Sequence, residues 1–297
     1  MENTPLDSAL ILKQKYRSLR AAELDEKEIL KLLTESTLIQ EILSDKHRTD
    51  TFTGLRKIEF LLAELSEIPY FEKLPEVQVL LKTLYEYTAT ADGYSLTGQS
   101  KGILACHQAI CTLIFIRANE QAWAKKGIDW IINYLPFAKN EATTWQETDL
   151  FERFGCVGNT PCYDGLVKSV KALSEYRQKF PSDPILAEKL TQGLNYIMKH
   201  RVIFHQDSDD YLYDDLITLF YPYPYRTNII EVLSLLKKEN LLKDPQCQDA
   251  IAFIKNKELV NGGWQAEKIF MKSSWIPFDA MKRKGNWITD EINWILS

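Results

Sequence analysis

Apolar residues along this chain recur every three or four positions. Leu166, Val167, Val170 and Leu173 fall on one helix face, as do Leu190, Leu194 and Ile197, and Ile229, Val232, Leu233 and Leu236. Alternating strand patterns are nearly absent, and Asp92-Gly93 reads as a turn between helices. The pattern predicts helices over 6–20, 25–44, 52–67, 74–88, 98–117, 120–134, 162–179, 184–202, 227–239, 246–258 and 286–296. Asp183-Pro184 and Asp244-Pro245 each put an N-cap oxygen ahead of a proline at the first helical position. The longest stretches without helical periodicity are 136–161, 203–226 and 261–285, and loops of that length are usually either functional or mobile.

The fold expected is all-α. With 297 residues and 45% hydrophobic content, the chain has enough apolar surface for a large core without staples. No linker divides it, so a single domain over 1–297 is expected, with 1–95 read only as further helix pairs. The net charge of −5 and the lack of a basic cluster argue against a nucleic-acid partner. No apolar run is long enough to span a bilayer, and the start MENTPLDS lacks the features of a signal peptide. Five irregularly spaced cysteines suit a reducing compartment, so a cytoplasmic location is expected.

An internal repeat sharpens the picture. Lys126-Gly127-Ile128-Asp129-Trp130-Ile131 recurs as Gln192-Gly193-Leu194-Asn195-Tyr196-Ile197, and again as Asp249-Ala250-Ile251-Ala252-Phe253-Ile254. In each copy a small residue lets its helix approach a neighbour while an aromatic fills the adjoining groove. The third copy continues through Glu258 to Gly262-Gly263-Trp264. This register resembles the QW motif of the squalene–hopene cyclases and their relatives, with Glu258 in place of Gln and Ala250 in place of Gly. The chain also resembles a group of bacterial proteins related to the cyclase and protein prenyltransferase toroids. That likeness rests on Cys156–Cys162, Gly165–Lys168, Lys199-His200, Tyr223–Asn228 and Gly285–Thr289. It implies a single α/α toroid, an inner ring of helices inside an outer one. It also implies a central cavity whose rim is formed by the N-termini of the inner helices.

On that rim the resemblance would gather three loops, Cys156–Asp164, His205–Asn228 and Trp264–Trp287. Cys156, Cys162 and His200 are of the types that hold zinc. They read equally as unrelated packing residues, and Cys106-His107 reads as core. Asp207-Ser208-Asp209-Asp210 matches the DxDD signature of class II terpene cyclases, which makes Asp209 the candidate catalytic acid, although acidic runs are commonly solvated. Tyr225, Trp264 and Trp287 are candidate walls for a hydrophobic ligand, with Arg226 and Asp164 at its polar end. Two functions follow: a protein, enzyme or not, that handles an isoprenoid-like small molecule, or a non-catalytic scaffold binding a protein or peptide. No P-loop, dinucleotide glycine pattern or zincin motif is present.

Overall fold

The computed structural model describes residues 6–18, 24–44, 49–99, 102–145, 160–269 and 276–297. Among them are twelve α-helices and no strand longer than isolated bridges. We number them α1 (Ser8–Ser18), α2 (Glu26–Thr34), α3 (Thr37–Ser44), α4 (Phe52–Leu65), α5 (Pro75–Thr88), α6 (Ala105–Arg117) and α7 (Gln121–Tyr134). They continue as α8 (Tyr163–Lys179), α9 (Pro184–Lys199), α10 (Ile229–Lys238), α11 (Gln248–Asn256) and α12 (Asn286–Leu296). The fold is all-α, as the periodicity predicts.

Two expected helices come out differently. The segment 25–44 breaks between α2 and α3 at the buried Ser36. Its hydroxyl donates to Asp7 and accepts from the Ile39 amide, a local hydrogen bond that competes with helix continuation. The helix expected from 98 starts only at Ala105, because Gly98 sits in the left-handed region (φ 70°) and Leu104 is extended. The Asp183 cap forms as expected, accepting from Leu186 N at 3.0 Å. Asp244 caps a short 3-10 turn, Pro245–Cys247, that leads into α11.

The helices fall into two kinds. In α6, α8 and α10 burial runs almost all the way round, covering Cys106–Ile116, Tyr163–Tyr176 and Ile229–Leu236. In α7, α9 and α11 only one stripe is buried, the signature of a helix with a solvent face. The fully surrounded helices are neighbours, α6 beside α8 and α8 beside α10, with α4 packed on α6 and α12 on α10. α1 reaches α12 through Arg17, whose guanidinium lies 2.6 Å from Asp290.

The repeat has the packing role its spacing predicts. A Cβ on Gly127 would stand 1.9 Å from Thr112 Oγ1 of α6, and one on Gly193 would stand 2.4 Å from Val170 of α8. Only glycine therefore allows these close approaches. The third copy ends in a turn at Gly262 and Gly263, both with positive φ. There Trp264 is buried with its indole N–H donating to Ile254 O at 2.8 Å.

Gly127→Ala tests this packing, because two effects oppose each other. Alanine favours an exposed helix by ~1 kcal/mol over glycine. Overpacking of the α6–α7 contact costs ~1–3 kcal/mol and is expected to win. Urea titration should show a net loss of stability, largely recovered when Thr112→Ala is added. A Gly127→Ala protein as stable as the parent would mean that the helices do not approach this closely.

Candidate functional site

A cavity of about 750 Å3 opens where six helices end. It is lined from the last turns of α1, α6, α8, α10 and α12 and from Ser66–Lys73, the turn that follows α4. None of α2, α3, α5, α7, α9 and α11 contributes to it. Its lining holds seven Lys and Arg side chains against four Glu, with Tyr16, Tyr70, Phe71 and Trp294 among them.

Most of these charges belong to one continuous network. Arg117 grips Glu175 through Nε and Nη2 (2.8 and 3.0 Å) and reaches Glu67 through Nη1 at 2.7 Å. Lys171 joins Glu67 (3.4 Å) to Glu231 (2.9 Å), and the fully buried Lys168 meets Glu231 at 3.0 Å. Lys13 links Glu67 to Glu291 and donates to the Tyr221 hydroxyl, while Arg17 joins Glu291 to Asp290. Lys238 closes on Glu175 at 2.9 Å. Burial pushes the Glu67 carboxyl up, but Arg117, Lys171 and Lys13 outweigh it and hold it well below the usual carboxylate range. Burial likewise raises Glu291, and Lys13 and Arg17 bring it down to about 2.

Four of the residues singled out in the sequence do gather, at the opposite ends of α8 and α10. Asp164, buried in the first turn of α8, accepts from Tyr213 Oη (2.9 Å), Arg226 Nη1 (2.8 Å) and Thr227 N (2.8 Å). Arg226 lies over the Tyr225 ring, and Tyr225 packs on Phe60. Cys162 caps α8 by accepting from Gly165 N at 3.4 Å, and a hydrogen bond with Cys106, then burial, pushes its thiol well above the ordinary value. The cluster ties a loop to two helix starts.

The remaining candidates lie elsewhere. Asp209 is a correction to the expected acid: its side chain is 90% exposed and paired with Arg201, outside the cavity wall. Trp264 and Trp287 are also corrected. Both are core residues, Trp287 stacked on Tyr221 and edge to face with Phe278, and neither lines the cavity. His200 has both ring nitrogens engaged, with Phe204 O (2.8 Å) and Gln206 Nε2 (3.0 Å). Cys156 lies outside the described residues.

A group that could hold a metal stands at a place read from sequence as core. Glu59, His107 and Cys111, all buried, place one donor atom each within 4.8 Å of one another. His107 Nδ1 is 2.7 Å from Glu59 Oε1, and Arg56 holds Glu59 Oε2 at 3.1 Å. Burial, then the Glu59 charge, keeps the Cys111 thiol protonated. His107 and Cys111 share a face of α6 at i, i+4 spacing. That pairing was visible in the sequence; its partner on α4 was not.

Comparison with protein-family models, curated proteins and solved structures finds no match for this chain.

The network sets the acid behaviour. Carboxyls lowered by folding contribute stability above their unfolded value, near 4.5, and lose it as pH falls through the folded one. For Glu291 that window runs from about 4.5 to about 2 and corresponds to on the order of 3 kcal/mol. Acid unfolding followed by circular dichroism should therefore fall within it. Glu291→Gln should lower stability at pH 7, leaving Lys13 and Arg17 short of a counter-charge, and should flatten the acid slope. An unchanged slope would show that Glu291 titrates normally.

Proposed function

We propose that α1, α4, α6, α8, α10 and α12 form the inner ring of an α/α toroid, and that the cavity at their C-terminal ends binds a small anionic ligand. Support for the ring comes from the chain of neighbouring inner helices and from their joint lining of one cavity. The observation that carries the ligand class is the lining itself, seven basic side chains against four carboxylates. An isoprenoid-like hydrocarbon fits it poorly, since burying alkyl surface there would strip water from these charges. The tyrosines and Trp294 favour a ligand with an apolar or aromatic part beside its anion. The volume lies in the range of small-molecule sites. Among the described residues Cys106, Cys111, Cys162 and Cys247 form no disulfide, in keeping with a reducing, cytoplasmic setting.

Calorimetry with 3-phenylpropionate, phenyl phosphate and the neutral 3-phenylpropanol tests this reading. The two anions should bind at least tenfold tighter than the alcohol, and more weakly as salt rises. An alcohol that binds as well as the anions would return the hydrophobic-ligand reading.

A second reading has zinc on Glu59, His107 and Cys111, with water in the fourth position. It is favoured by the donor set, while Arg56 beside Glu59 opposes a cation. Mass-spectrometric metal analysis of protein purified without chelator should then give near one equivalent of zinc, lost in His107→Gln. Metal-free protein would leave the trio as a buried ion-pair cluster.

A further inference from the structure

Most charges on the cavity wall close on each other. Glu67 is met by Arg117, Lys171 and Lys13, Glu175 by Arg117 and Lys238, and Glu291 by Lys13 and Arg17. Two lining residues behave differently. Glu72, in the turn after α4, has its Oε2 buried without a hydrogen-bond donor. Lys179, in the last turn of α8, donates to Arg117 O at 3.0 Å and lies 5.9 Å from the Phe180 ring. Among the described residues no carboxylate comes within 4.0 Å of its ammonium.

These two groups have opposite charge and line the same cavity, close enough to influence each other's ionisation, yet no ion pair joins them. Burial pushes the Glu72 carboxyl up and the Lys179 ammonium down, each away from its charged form. A ligand that brought a cation to one and an anion to the other would reverse both effects. The same lining is partly aromatic. Tyr16 and Tyr70 meet edge to face with centroids 5.7 Å apart, and Trp294 stands on the same lining. Tyr70 holds a left-handed backbone (φ 63°), a strained conformation for a bulky residue, two positions before Glu72. Such strain persists where the surrounding structure over-determines it, and it collects at ligand sites.

We infer that the ligand is an α-amino-acid-like zwitterion with an aromatic or apolar side chain, its ammonium on Glu72 and its carboxylate on Lys179. The inference rests on the reading of the cavity as an anion-binding site and narrows it to one chemical class. The side chain would lie against Tyr16, Tyr70 and Trp294, where a ring gains edge-to-face contacts. The buried Glu72 acceptor discriminates against a plain carboxylate, because a ligand without a donor leaves it unpaired.

Calorimetry on the full chain at pH 7 tests this with L-phenylalanine, 3-phenylpropionate, which lacks the ammonium, and phenethylamine, which lacks the carboxylate. L-Phenylalanine should bind at least tenfold tighter than either. Glu72→Gln should remove that advantage over 3-phenylpropionate by weakening L-phenylalanine, with no loss of affinity for 3-phenylpropionate. Lys179→Met should weaken both carboxylates together. Equal affinity of the parent protein for L-phenylalanine and 3-phenylpropionate would overturn the zwitterion while leaving the anion site standing. Failure of both to bind would overturn the inference together with the reading beneath it. The comparison of ligands on the parent protein decides the matter even where a variant fails to fold.

Discussion

The charge network that runs from Glu231 through Lys171, Glu67, Arg117 and Glu175 to Lys238, with a branch through Lys13 and Glu291 to Arg17, is the constraint on which the rest of this structure depends. Six helices bring polar side chains to a common interior, and each charge there has lost most of its water. Such burial is tolerated only when partners are close and hydrogen-bonded. Arg117 shows how tightly this is met, spending its guanidinium on Glu175, Glu67 and Ser66 at once. A loss at one node leaves its neighbours uncompensated, so the network fixes which helix ends stand beside which. Hydrophobic contacts hold the helices together but are far less particular about register.

The two ends of the helices that line the cavity differ accordingly. At the starts of α8, α10 and α12, Cys162, Asn228 and Asp279 accept from the free amides, and Asp164 ties the loop at Arg226 and Thr227. Those donors are used up internally, which leaves little there for a ligand. At the other end, Lys and Arg in the last turns complement the carbonyl ends of the helices, and a cavity remains. The basic side chains of the cavity thus stand near helix C-termini, while these helix N-termini are capped from within the chain.

The glycine and aromatic repeat has a packing meaning that the chain alone made visible. Gly127 and Gly193 let single-faced helices sit directly on α6 and α8, and Trp264 closes the third copy by bonding back to Ile254. These are local, short-range devices, so their spacing survives in sequence. Trp264, the motif's own aromatic and one of the expected ligand walls, belongs to the core for that reason, and Trp287 packs in the core against Tyr221 and Phe278.

By itself the sequence determined the helical class, most helix positions, the Asp183 cap and the close helix approaches, because each depends on residues within a few positions of one another. It also marked Asp164, Tyr225, Arg226 and Cys162, which do meet. What it left to the tertiary structure was the charge on α8. Nothing in the spacing of Lys168, Lys171 and Glu175 marks them as buried, and they are buried because Glu231, Glu67 and Arg117 arrive from about 60 to 100 residues away. The same holds for Glu59 beside His107, 48 positions apart, and for Glu72 and Lys179 on one cavity wall. Burial of a charge is decided by its partner, and a partner on another helix leaves no periodic trace in the chain.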